Sequence, residues 1–198
     1  MEVKSRAVIP RCSFAVHWWV LRLFTALDIP DDVKAALAAL LDRLRPLAKL
    51  HWIPLEKLHI TTKFIGEWPE ARLEELKGAL RSVRAPGPVE VSIRRLGWLP
   101  SPRSARVLYA GVEPGESLTT LAAATEHAAE RAGVPAEARI YRPHVTLART
   151  RERVPLDAVR TALSQIELAP IGHYFASSFA LYLSAKGTYT KLEEFPFT

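Results

Sequence analysis

Residues 58–62 read Leu58-His59-Ile60-Thr61-Thr62, and residues 143–147 read Pro143-His144-Val145-Thr146-Leu147. Both stretches are rich in β-branched residues and nearly alternate, which is the pattern of a strand. Residues two apart on a strand share a face. His59 therefore stands beside Thr61, and His144 beside Thr146. A His-x-Thr step repeated on two strands implies that the chain is built from two related halves.

Reading outward from each copy supports this. Arg22–Asp28 is strand-like, and Pro30 and Asp31 supply a turn and an N-cap. Val33, Leu37, Leu40, Leu41 and Leu44 then fall at helical spacing, so a helix is predicted from Asp32 to about Arg45. The loop Trp52-Ile53-Pro54 leads into a strand over Leu58–Ile65, closed by Gly66. Pro69 opens a helix with Leu73, Leu76, Leu80 and Val83 on one face, and Pro86-Gly87-Pro88 separates it from a strand over Val89–Leu96.

The second half repeats the order. A strand over Ala105–Val112 precedes a helix that runs to about Ala132 and stops at Gly133. A strand over Ile140–Ala148 and a helix over Pro155–Gln165 follow. Phe175–Ser184 and Thr188–Leu192 form a hairpin around Lys186-Gly187. The predicted fold is α+β: a bilobal single domain of two pseudo-symmetric β-α-β-α-β halves, about 20–100 and 101–198. Antiparallel sheets should line a central cleft with the helices outside.

With 198 residues, 48% of them apolar and 24% charged, the chain suits one domain and not a disordered one. Cys12 is the only cysteine, which excludes an internal disulfide framework and a cysteine-based zinc site. No apolar run approaches the ~20 residues of a membrane span. Lys4, Arg6 and Arg11 ahead of Cys12–Val20 loosely imitate a signal peptide, but His17 interrupts the apolar stretch and no small-x-small site follows. Residues 1–19 read instead as a flexible extension or a start assigned too far upstream, and the expected location is the cytoplasm.

The net charge is +6, with a local excess between Arg139 and Arg153: five arginines (Arg139, Arg142, Arg149, Arg151, Arg153) against Glu152 alone. Such a run attracts a phosphate-bearing partner by Coulomb forces and counterion release, or is simply a solvated basic surface.

Two imidazoles facing one cleft divide acid and base work, one neutral and accepting a proton, the other protonated and donating one. Two threonine hydroxyls beside them donate to nonbridging phosphate oxygens as charge builds there. A phosphodiester, above all a strained cyclic one, suits this set, and no metal is required. A zinc reading needs a third ligand, and neither motif has the spacing that supplies paired ligands.

The paired motifs resemble the 2H phosphoesterase superfamily, and within it the RNA 2′,3′-cyclic phosphodiesterases, also called 2′-5′ RNA ligases. Arg22-Leu23-Phe24-Thr25-Ala26-Leu27-Asp28 resembles the family's opening strand. Trp52-Ile53-Pro54 followed by Leu58–Glu67 resembles its first motif region, Arg142–Arg149 its second, and Phe179–Ser184 its closing strand. The resemblance implies hydrolysis of RNA or nucleoside 2′,3′-cyclic phosphates to 2′-phosphates, by a monomer with no cofactor, metal or membrane partner. It implies that His59 and His144 are the acid–base pair, that Thr61 and Thr146 hold the phosphate, and that Arg149 contacts the substrate; of the two assignments, His144 as base and His59 as acid is the favoured one. Other 2H activities stay open, namely 2′-5′ phosphodiester cleavage and reversible 2′-5′ ligation, as does a non-catalytic RNA-binding module. Thr62 stands where the family prefers an apolar residue, so its hydroxyl should find a partner.

Strict alternation turns Arg149 away from His144, so the strand must end or bend near Ala148. Phe24 and Tyr141 are candidates to stack on a base. Phe64 alternates away from His59 and reads as core. His51 could line the entrance but reads as a surface residue, His127 is placed on the surface, His173 without a visible partner and Trp98 in packing. No P-loop is present for an ATP-driven ligase.

Overall fold

The computed structural model describes residues 19–84, 87–151, 154–166 and 170–197. Cys12, His17 and the rest of the expected extension as far as residue 18 lie outside the described residues, as do Pro86, Glu152 and Arg153.

The strands are β1 (Val20–Asp28), β2 (His51–Trp52), β3 (His59–Pro69), β4 (Val89–Leu99), β5 (Val107–Val112), β6 (His144–Arg149), β7 (Gly172–Ala176), β8 (Ser178–Ala185) and β9 (Thr188–Pro196). The helices are α1 (Asp31–Leu44), α2 (Leu73–Arg81), α3 (Glu116–Arg131) and α4 (Asp157–Gln165). All ladders are antiparallel and form one sheet in the order β7-β4-β5-β6-β3-β1-β8-β9, with β2 added to β6. The fold class is therefore the α+β architecture read from the sequence.

The two motif strands are neighbours at the middle of the sheet, paired at Ile60 and Val145. The order is symmetric about this seam: β1 flanks β3 as β5 flanks β6, and β8 and β4 come next. The unit β1-α1-β3-α2-β4 thus recurs as β5-α3-β6-α4-β8. Each unit gives its last strand to the other's lobe, because β4 pairs β5 and β8 pairs β1. A cut near residue 100 consequently divides the sequence repeat but not the sheet.

One face of the sheet carries the helices. α1 buries Val33, Leu37, Leu40, Leu41 and Leu44, the stripe expected from its spacing. α3 buries Leu118, Leu121, Ala122, Thr125, Ala128 and Ala129, and it packs on β3 and β4. Ile60 and Val145 are fully buried in this core. The first helix begins at Asp31, with Pro30 at the cap position.

Two predicted strands change. The strand predicted from Ile140 begins at His144, and Ile140 is 84% exposed. Pro143 has no N–H to give a ladder and restrains the residue before it. The predicted strand Phe175–Ser184 is two strands that part at Ser177. Phe175 and Ala176 pair with β4, whereas β8 pairs with β1 and β9.

Candidate active site

Ile60 and Val145 point into the helical layer, so their neighbours point the other way. His59, Thr61, His144 and Thr146 are all partly exposed on that open face. Antiparallel pairing about Ile60 and Val145 puts His59 across from Thr146 and Thr61 across from His144. The two motifs are thereby interleaved, each histidine facing the other strand's threonine.

Just past each threonine the alternation breaks. In the β1–β3 ladder Ala26 faces Thr61 and Thr25 faces Lys63, which leaves Thr62 as an extra residue. In the β5–β6 ladder Tyr109 faces Thr146 and Leu108 faces Ala148, which leaves Leu147 extra. These are equivalent β-bulges, and each puts two consecutive residues on the buried side. The next residue in each strand, Phe64 or Arg149, then emerges on the histidine face. The bulge at Leu147 removes the conflict over Arg149. It also has a counterpart that corrects the expectation for Phe64, which is 62% exposed rather than core.

The expected partner of Thr62 is Thr25, whose hydroxyl lies 2.7 Å from its own, both buried. Lys63, equally buried, donates to Glu126 and to the Pro135 carbonyl. This ties the segment leading to the second motif onto β3.

The imidazoles are anchored alike. His59 Nδ1 is 2.7 Å from the Lys57 carbonyl and His144 Nδ1 is 2.8 Å from the Arg142 carbonyl. A carbonyl only accepts, so both Nδ1 atoms carry a hydrogen. In the neutral ring Nε2 is then the free acceptor, offered by both histidines.

His59 sits in an aromatic niche. Phe24 lies 4.8 Å from its ring, Tyr189 meets it edge-on at 5.3 Å, and Tyr182 stacks on Phe24 at 5.3 Å. Asp28 pairs with His59 across the β1–β3 ladder, and its carboxylate accepts from the Tyr182 hydroxyl and, at 2.7 Å, from Lys191. Burial is the main influence on His59 and lowers its pKa below 6.5. The Lys57 carbonyl and Asp28 oppose this, while His144 and Arg149 add to it. Tyr109 meets the His144 ring edge-on at 5.7 Å.

Phe24 and Tyr141, the expected stacking residues, both adjoin the motif residues. Phe24 is 5% exposed and is the wall behind His59. Tyr141 packs on the core and donates to the Thr61 carbonyl at 3.1 Å, which braces β3 where it leaves β6. On the other motif strand, the Ile53 N–H donates to the Leu147 carbonyl at 2.8 Å. Each segment leading to one motif therefore covers the edge of the other motif strand.

The arginine run is not uniform. Arg139 is held by Glu137, whose carboxyl it lowers to about 2, so its charge is balanced. Arg142 is exposed, and Arg151 donates to Nε2 of His51, itself exposed, at 3.3 Å. His173 does have a partner, Glu90 at 2.9 Å, while His127 is exposed and Trp98 buried. Among the described residues no three His, Cys, Asp or Glu side chains converge as metal ligands, and no helix is long and apolar enough to cross a membrane.

Sequence reasoning passed over Asp28, Tyr182 and Tyr189 as surroundings of His59. Their signal is absent because β8 and β9 reach β1 only through long-range pairing.

Residues 27–109 match the family model described as LigT-like phosphoesterase. The chain is 29% identical over 181 residues to the RNA 2′,3′-cyclic phosphodiesterase of Methanothermobacter thermautotrophicus, covering 88% of this chain and 98% of that protein. It is 31% identical over 183 residues to the protein of that name from Thermus thermophilus, covering 88% and 89%. The chain belongs to the LigT-like phosphoesterase family. This phosphoesterase is thus an enzyme, and its fold is shared with solved structures. E. coli LigT complexed with 3′-AMP aligns with a TM-score of 0.73 at 26% identity, over 91% of this chain and 99% of LigT. TT0787 of Thermus thermophilus aligns with a TM-score of 0.73 at 29% identity, over 89% and 98%.

Proposed function

We propose that this phosphoesterase opens the 2′,3′-cyclic phosphate of an RNA end or nucleoside to a 2′-phosphate, by metal-free acid–base catalysis between His59 and His144. The observation that carries the reading is the pair of Nδ1-anchored imidazoles on interleaved strands, each with a threonine of the other strand opposite. The names of the relatives agree with it.

In this mechanism a water oxygen bonds to phosphorus and its proton passes to His144 Nε2. The bond from phosphorus to O3′ breaks, and His59 Nε2–H protonates the departing oxygen. The products are a 2′-phosphomonoester and a 3′-hydroxyl. Thr61 and Thr146 donate to the nonbridging oxygens, where charge grows in the transition state. In the ligand-free pocket burial favours neutral His59. A phosphodiester anion beside the ring, together with Asp28, favours the imidazolium that the acid role needs. Phe64 and Arg149 flank the nucleoside, one as an apolar wall and one as a cation.

The test is turnover of a short RNA ending in a 2′,3′-cyclic phosphate, in EDTA, by wild type, His59→Ala and His144→Ala. The expected result is a 2′-phosphate product and a loss of about 100-fold or more in each variant. An inactive wild type, or variants that keep its rate, would overturn the reading.

A further inference from the structure

The charges around the phosphate site are lopsided. On the β1 side of His59 the pocket is lined by Asp28, Glu56 and Lys57, and Asp28 is paired with Lys191, so the charges there balance. On the β6 side the strand leaves the cleft past Thr146 and carries Arg149 and then Arg151, both exposed. A polyanion that places its terminal phosphate between the histidines finds balanced charge on the first side and is attracted on the second.

This basic edge is held in place by the backbone. Arg149 is paired on one flank with His51 and on the other with Val107. Thr150 N–H donates to the Arg106 carbonyl at 2.9 Å, and its hydroxyl donates to the Ala105 carbonyl at 3.1 Å. Arg151 therefore projects from a fixed strand end.

Six of the described arginines are neutralised by acids, and the two of this edge are not among them. Arg45, Arg72, Arg81, Arg94, Arg139 and Arg160 all meet a carboxylate. Among the described residues Arg151 meets only the His51 ring, and Arg149 makes no side-chain hydrogen bond or ion pair. These two guanidinium groups, at the end of the strand that carries His144 and Thr146 and just beyond it, offer the forked donors that a phosphodiester accepts.

We infer that Arg149, Arg151 and His51 form a subsite for the backbone phosphate 5′ to the nucleotide being opened, so that the enzyme prefers an oligonucleotide end to a free cyclic nucleotide. The inference rests on the reading under Proposed function and adds the direction in which the chain leaves the site. Phe64 lines the opposing β3 wall with an apolar surface that gives a backbone phosphate nothing to bind.

The experiment compares kcat/KM for a tetraribonucleotide ending in a 2′,3′-cyclic phosphate with that for the matching nucleoside 2′,3′-cyclic phosphate. Wild type, Arg151→Ala and His51→Ala are each assayed across a salt series. Wild type is expected to favour the tetranucleotide by about tenfold or more at low salt, the order of one charge-assisted contact. Arg151→Ala should lose most of that advantage, leave the nucleoside substrate within about twofold, and reduce the log–log salt slope by about 0.7. His51→Ala should move the same way by less. Equal wild-type turnover of both substrates would overturn the inference alone. So would an Arg151→Ala variant that keeps the whole advantage, or one that loses both activities in parallel. Turnover of neither substrate by wild type would overturn the underlying reading and this inference with it.

Discussion

Phe64 and Arg149 occupy equivalent positions in the two halves, five residues after His59 and His144, and each is turned onto the cleft face by a bulge. Under strict alternation, with no bulge at Thr62 or Leu147, both side chains would face the helices. The same backbone device thus presents an apolar ring on one wall and a guanidinium on the other.

Phe64→Ala should raise KM for a nucleoside 2′,3′-cyclic phosphate by about tenfold, in keeping with the ~1–3 kcal/mol of a base–aromatic stack. It should change kcat little, and Phe64→Trp should restore binding. Steady-state kinetics check this. A Phe64→Ala enzyme with unchanged KM would remove the ring from the binding wall.

The bulge at Thr62 is secured by a hydroxyl pair inside the core. Thr62→Val should destabilise the fold by roughly 1–3 kcal/mol, since it leaves the buried Thr25 hydroxyl without a partner. The double variant Thr25→Val/Thr62→Val should recover much of that loss, because no orphaned donor remains. Chemical denaturation of the two single variants and the double reads the coupling. Strict additivity would show that the 2.7 Å contact contributes nothing.

The elements that follow local pattern were legible before the structure: the α1 stripe, the strands of both motifs, and the need of Thr62 for a partner. What depends on long-range pairing was not. Alternation alone put Phe64 in the core and Arg149 off the cleft, because a bulge is a property of two paired strands and not of one. The surroundings of Phe24 were equally illegible, because β8 and β9 bring Tyr182 and Tyr189 against it. The exchange of β4 and β8 between lobes escaped notice for the same reason. A strand's sequence states that it will pair, and only the assembled sheet states with which neighbour.

His59 also links protonation to stability. Burial holds its pKa in the folded enzyme below 6.5, so the unfolded chain binds more protons over that range. The contribution of the neutral ring is complete above about pH 6.5 and is lost as the pH falls through the folded value. Thermal unfolding from about pH 8 to pH 5, in buffers free of phosphate, should show a steeper acid loss of Tm for wild type than for His59→Phe. Parallel curves would contradict a depressed His59.

Asp28 offers the complementary test, since its carboxylate raises the His59 pKa while burial lowers it. Asp28→Asn keeps a side-chain acceptor for the Tyr182 hydroxyl but removes the charge. The His59 pKa should therefore fall further, and imidazole NMR titration of the free enzyme reads that directly. The limb of the kcat/KM profile that follows His59 should move to lower pH while the other limb stays in place. Tyr182→Phe separates charge from structure: it takes away a contact to Asp28 and leaves the carboxylate, so the His59 limb should move far less. Loss of the half-exposed Lys191 partner should cost Asp28→Asn no more than about 1 kcal/mol of stability. An Asp28→Asn enzyme whose His59 titrates as in wild type would show that the carboxylate braces β1 against β8 and β9 without tuning the ring.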